Sequence, residues 1–225
     1  FEDECGADMG MSYNVIGGVI ADIHPYFHCK VKEFIKEMPA RLKEYHEVFS
    51  GNVIAQNRLK GVGFLSREDA INYGVTGPSG RGSGWACDVR KRSPYAAYDK
   101  VQFDEVLYNE GDSYARYMVR MKEIEQSLHI LEQLVDNIPE GDYLAKTKPI
   151  IKVPEGRYFK EVEAARGAFG IYLESRGDKF PYRLKVNSPG FNLVGAVDHM
   201  SRGSKIADLI AIGGSLDYVV PDIDR

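Results

Sequence analysis

The sequence predicts an α+β fold, mainly helical with long bundle helices and a small antiparallel sheet late in the chain. Three observations carry that prediction. Apolar residues recur at three- and four-residue steps from Phe27 to Phe49, and again from Tyr114 to Ile138, as they do along one face of a helix. After Tyr158 the period changes to alternation, in short runs separated by Arg166-Gly167 and Arg176-Gly177-Asp178. No internal repeat and no clean linker divides the chain, so positions 1–225 read as one piece.

Composition sets the class. With 44% hydrophobic, 28% charged and 11% aromatic residues, the chain has the make-up of a soluble globular protein with a sizeable core. A net charge of −4 argues against nucleic acid as a partner, because such proteins carry a basic excess. No apolar run reaches the roughly 18 residues of a spanning helix. The opening Phe1-Glu2-Asp3-Glu4 is neither a natural start nor a signal peptide, and reads as a fragment. Cys5, Cys29 and Cys87 are few, odd in number and far apart, which fits a reducing compartment and gives no local metal motif.

In chain order, Gly17-Gly18 marks a turn or a close backbone approach. Pro25 can open a helix whose apolar stripe is Phe27, Val31, Phe34, Ile35, Met38, Leu42, Tyr45, Val48 and Phe49. Pro39 lies inside it and is expected to kink or divide it, since proline removes a backbone donor and crowds the preceding turn. His24 and His28 have a spacing that can suit a metal, but Pro25 spoils a shared face and further ligands are not in sight. A helix over 52–60 ends at Gly61, and Ser66 can cap a short helix that Gly74 closes.

The run 76–85 is glycine-dense and contains Arg81. It lacks the Gly-Lys-Ser/Thr ending of a phosphate loop, so a tight structural loop is the better reading. Residues 88–95 concentrate charge beside Tyr95; alone, they read as a solvated loop or as a docking surface for an acidic partner. The strongest helix starts near Asp112 or Ser113 and stops before Pro139, with Arg116, Arg120, Lys122, Glu123, Glu125 and Glu132 on its polar face. Its methionines read as core filler. Residues 143–157 are extended, the three strands follow, and Ser188-Pro189-Gly190 ends them. A short helix over 191–197 is expected next, then one over 205–212 capped by Ser204.

The ending is unusual. Ser215-Leu216-Asp217-Tyr218-Val219-Val220-Pro221-Asp222-Ile223-Asp224-Arg225 follows the apolar segment 206–212, which Gly213-Gly214 closes. Chain ends are normally frayed and polar. This one is apolar and charged at once, so it reads as docked, either as a plain C-terminal strand or as a site whose charges are partnered.

Several of these segments together resemble one family. They are Arg81-Gly82-Ser83-Gly84, Asp88-Val89-Arg90-Lys91 with Pro94-Tyr95, and Arg120-Met121-Lys122-Glu123 with Gln126-Ser127. Glu163-Ala164-Ala165-Arg166-Gly167 and the ending Ser215-Leu216-Asp217…Asp224-Arg225 complete the set. The chain resembles the D subunit of the proton-pumping NADH–quinone oxidoreductase, respiratory complex I, which is itself similar to the large subunit of nickel–iron hydrogenases. Hydrogenase tails carry two metal-binding cysteines, and aligned without gaps these fall on Val219 and Asp222, which is no soft-metal site. Ala165 and Ala168 depart from the family's usual proline and glutamate. The stretch between Ile138 and Tyr158 is shorter than in many members, which leaves room for a relative fed by ferredoxin or another donor.

The resemblance implies a hydrogenase-like fold and a part in a quinone cavity beside the terminal iron–sulfur cluster of a partner subunit. Asp217 and Val219 match the cavity wall, with Asp222 and Arg225 nearby, and Arg81, Asp88, Arg90 and Lys91 are the expected partner-docking set. It implies no cofactor or metal on this chain: quinone is the substrate, and NADH, flavin and iron–sulfur clusters belong to other subunits. The expected partners are the iron–sulfur subunit, other peripheral-arm subunits and the membrane arm, at the cytoplasmic face of the bacterial inner membrane. The alternative is a scaffold that docks an iron–sulfur partner without touching quinone.

Overall fold

The computed structural model describes residues 13–223. Arg225, one of the expected cavity residues, lies outside them, as do Cys5 and Asp224. A two-residue hairpin, β1 (Asn14–Val15) and β2 (Gly18–Val19), turns at Ile16-Gly17, and Gly18 pairs with Leu144 in the otherwise irregular segment 143–155.

Helix α1 runs over Phe27–Tyr45 as one 19-residue element. The division expected at Pro39 does not occur. Proline forfeits one intrahelical bond, and the rest of the ladder continues across it. The irregularity comes later, where His46–Ser50 widens to a π-helix that closes with Gly51 N–H donating to His46 O at 2.8 Å. Next come α2 (Val53–Leu59), capped by Asn52, and α3 (Arg67–Tyr73). The Ser66 side chain caps α3, and Gly74 ends it at φ 68°, as the sequence predicts.

The glycine-dense stretch is not a loop throughout. Gly77–Arg81 forms a buried helical turn, α4, and Val89–Arg92 another, α5, capped by the Asp88 carboxylate. Glycine serves close packing here. A Cβ on Gly77 would meet Gly167 Cα at 2.4 Å, and one on Gly82 would meet Arg116 Cγ at 2.9 Å and Cα at 3.2 Å.

Helix α6 (Ser113–Leu134) is the predicted long helix, capped by Asp112. Leu42 of α1 packs with its Met121 and Leu128, so Met121 is indeed core. Its polar face needs correction, however. Arg116 is fully buried and Arg120 partly so. The three predicted strands form an antiparallel sheet in the order β3 (Gly156–Ala164), β4 (Gly167–Ser175), β5 (Arg183–Asn187), with Val162 opposite Phe169 and Leu173 opposite Leu184.

Two helices close the chain, both longer than expected: α7 (Pro189–Ser201) and α8 (Ile206–Leu216). Ser204 is not the cap of α8. The Asp208 carboxylate takes that role, accepting from Lys205 N–H at 3.0 Å while its other oxygen meets Arg58 of α2 at 3.0 Å. Nor do Gly213-Gly214 end the helix. Ile212 and Leu216 are both fully buried, packing with Leu65, Val75, Leu193 and Met200, and this anchorage outweighs the weak helix propensity of two glycines.

Candidate functional site: an arginine-held tail

The tail is neither a strand nor fully buried. Helix α8 carries Ser215 and Leu216, and Asp217 ends it in the left-handed region at φ 56°, ψ 37°. Asp217 and Tyr218 are exposed, Val219 is half-buried, and Val220–Asp222 makes one 3-10 turn. That turn folds back on the start of α7, where a Cβ on Gly190 would meet Asp222 Cβ at 2.9 Å. Asp217, Val219 and Asp222 therefore lie within one short surface segment.

Three successive carbonyl oxygens of this segment accept from arginines. Arg120 of α6 donates through Nη1 to Ser215 O at 2.8 Å and through Nη2 to Leu216 O at 3.4 Å. Arg166, in the β3–β4 turn, donates through Nε to Asp217 O and lies 3.6 Å from the Asp217 carboxylate. The last carbonyls of a helix have no intrahelical donor, and the helix dipole favours cations at that end. Guanidinium forks suit both needs.

Beneath them, Arg116 holds the Ser215 side chain. Its Nε donates to Ser215 Oγ at 2.9 Å, and its other nitrogens donate to Gly111 O, Gly63 O and Ser113 Oγ at 3.0, 2.8 and 3.0 Å. Burial pushes Arg116 down to about 9, so it stays charged at neutral pH. Burial also lowers Arg120, against the pull of Asp217 and Glu123, which favour its charged form.

The expected docking set has mostly another task. Arg81, 1% exposed, donates through Nε to Glu123 at 2.7 Å and through Nη1 to Glu163 at 2.8 Å, with Asp88 3.9 Å away. Burial disfavours its charge, but Glu123, Glu163 and Asp88 more than reverse this and raise its pKa. Asp88, 2% exposed, takes a two-point contact from Arg90 at 3.0 and 2.6 Å. Glu163 also accepts from Val89 N–H at 3.0 Å. Arg81 and Asp88 thus face inward and join α4, α5, α6 and β3, a correction to their reading as a docking surface. Buried charges need partners, and here the chain supplies them. Lys91 is exposed, although its amine donates to Phe103 O.

One face of α6 serves both arrangements, since Arg116, Arg120 and Glu123 follow at four- and three-residue steps. A cavity of about 250 Å³ opens beside the tail, lined by Phe49, Leu59, Tyr117, Arg120, Gly214 and Ser215 among others. The larger groove between α1 and α6, about 800 Å³, contains none of the predicted site residues. Among the described residues, no three His, Cys, Asp or Glu side chains converge as a metal site, and no helix is long and apolar enough to cross a membrane.

The chain belongs to the family described as the respiratory-chain NADH dehydrogenase 49 Kd subunit, whose profile matches residues 1–152 and 147–225. More particular likenesses follow the same line. It is 64% identical over 225 residues to the C/D subunit of NADH-quinone oxidoreductase from Bacteroides thetaiotaomicron, covering all of this chain and 42% of that protein. Against the D subunit from Desulfotalea psychrophila the identity is 48% over 225 residues, covering all of this chain and 60% of the relative. For the D subunit from Bacillus cytotoxicus it is 42% over 221 residues, covering 98% and 60%. The chain thus spans less than two thirds of the relatives it matches.

Proposed function

We propose that this chain contributes part of the quinone-cavity wall in a proton-translocating NADH:quinone oxidoreductase, beside the terminal iron–sulfur cluster of a partner subunit. Asp217 and Val219 are the wall residues, with Asp222 and Arg225 at its edge. The observation that carries the reading is the tail's conformation. Asp217 is exposed and Val219 half-buried, and arginines fix the backbone carbonyls that lead into them. A half-buried valine suits a flat aromatic headgroup, and charges nearby act on the anion that forms on reduction.

In this reading NADH, flavin and iron–sulfur clusters belong to other subunits, and the chain binds no metal or cofactor of its own. The chain lies peripherally at the cytoplasmic face of the inner membrane, in a complex joined to a membrane arm. The fold is that of a hydrogenase large subunit without its metal ligands, since Val219 and Asp222 stand where two cysteines are required. Lys91 and the outer side of Arg90 remain for partner docking. Val219→Met in the assembled complex tests the wall: quinone turnover or inhibitor potency should change while assembly stays normal, and unchanged kinetics would overturn it.

A further inference from the structure

The wall residues are held in part by side chains from outside the tail. Asp217 adopts a left-handed backbone that L-residues generally avoid, although aspartate tolerates it better than most. Val220 is exposed, and the Tyr218 ring packs against Gly213 of α8. Apart from the seat of Asp222 on Gly190 and the turn's own backbone bonds, what fixes the segment is polar and comes from elsewhere in the chain. Arg120 takes two successive carbonyls, of Ser215 and Leu216, and Arg166 takes the next, of Asp217. Arg120 is itself tethered to α6 through Arg116 O at 3.1 Å.

We propose that Arg120 and Arg166 are positioning residues for the quinone-facing wall, setting where Asp217 and Val219 stand without touching quinone themselves. The inference rests on the wall reading above. It adds that α6 and the β3–β4 turn, together with the tail's own turn, set the geometry of that wall. The two arginines hold it differently. Arg120 spans two carbonyls with a planar fork that a single ammonium cannot reproduce. Arg166 holds its carbonyl through one nitrogen, Nε, so a lysine can take its place.

The test compares Arg120→Gln, Arg120→Lys, Arg166→Gln, Arg166→Lys and Val219→Met in the assembled complex. Quinone KM, kcat and inhibitor potency are measured beside NADH oxidation by a water-soluble artificial acceptor. Displacing a wall by a fraction of an ångström should raise quinone KM on the order of tenfold, with kcat and the artificial-acceptor rate little changed. That result is expected for both Arg120 variants and for Arg166→Gln, with Arg166→Lys close to wild type. An Arg120→Lys enzyme that behaves as wild type would discard the need for the fork, and an Arg120→Gln enzyme with unchanged quinone KM would overturn the positioning role. So would unchanged quinone KM in Arg166→Gln, whose place in a surface turn keeps folding out of the question should the Arg120 variants fail to assemble. If Val219→Met alters quinone kinetics while the arginine variants do not, the wall stands and only the positioning role falls. No effect from Val219→Met removes the wall reading and this inference together.

Discussion

Arg81 and Glu163 meet at 2.8 Å in the interior, although 82 residues separate them in the chain. Glu163 holds the guanidinium with one oxygen and the first amide of α5 with the other. Removing one partner of such a pair leaves a buried charge unanswered. Arg81→Met is therefore expected to cost the full-length subunit about 3–5 kcal/mol. Glu163→Gln, which keeps its size and two polar atoms, should cost less. Urea unfolding orders the two, and equal losses would count against an ionic knot.

Asp88 gives the network an acid limit. Burial alone would raise its pKa, but the two-point contact from Arg90 and the nearby Arg81 lower it below the ordinary aspartate value of 3.8. A folded pKa below the unfolded one stabilises the protein above the unfolded value, and that stability is lost as pH falls through the folded value. Asp88→Asn should therefore lose stability at neutral pH and show a shallower decline below about pH 4. Chemical denaturation across pH 2–7 reads the slope directly.

How far the sequence foretold this depends on the range of the interaction. Ser66 and Gly74 act within one helical turn, and each is found in its predicted capping role, while Asp112, predicted only as a start of the long helix, caps it. The three strands were equally readable, because alternation and turn residues are local signals. Arg116 and Arg120 escaped, since charge at helical spacing reads as solvent-facing, and their partner Ser215 lies 99 and 95 residues away. Ala115 and Val119, beside them on α6 and both buried, were the available hint of a second inward face. Gly213-Gly214 misled in the same way: burial of Ile212 and Leu216 overrides a local stop. The motif Arg81…Asp88 was legible as a unit. Its burial was not, because Glu123 and Glu163 come from distant elements.

Cys87 and Cys29 should differ sharply toward alkylating agents. Burial drives the Cys87 thiol up to about 12, and Arg81 only partly opposes it. Its thiolate, the reactive form, is then nearly absent at pH 8. Cys29 is exposed on α1. Iodoacetamide at pH 8 followed by peptide mass spectrometry should label Cys29 and spare Cys87 until the chain is unfolded. Comparable labelling of both would show that the centre of the molecule opens readily.

Two glycine-to-alanine changes separate close packing from simple helix propensity. At Gly82 a Cβ would press on the Cα and Cγ of Arg116, both anchored by a buried guanidinium with four hydrogen-bond acceptors. That backbone cannot yield without disturbing Ser215 and the tail beyond it. Gly82→Ala should therefore destabilise by about 1–3 kcal/mol, and on the proposed wall reading quinone kinetics should shift in the complex that still assembles. Gly195 lies in α7 with nothing within 4 Å of an added Cβ. There alanine should stabilise by roughly 0.5–1 kcal/mol, the ordinary gain in an exposed helix interior. Thermal melts of the two full-length variants should move in opposite directions. A neutral Gly82→Ala would mean that α4 and α6 are not in the contact described, and the route from Arg116 to the tail would lose its footing.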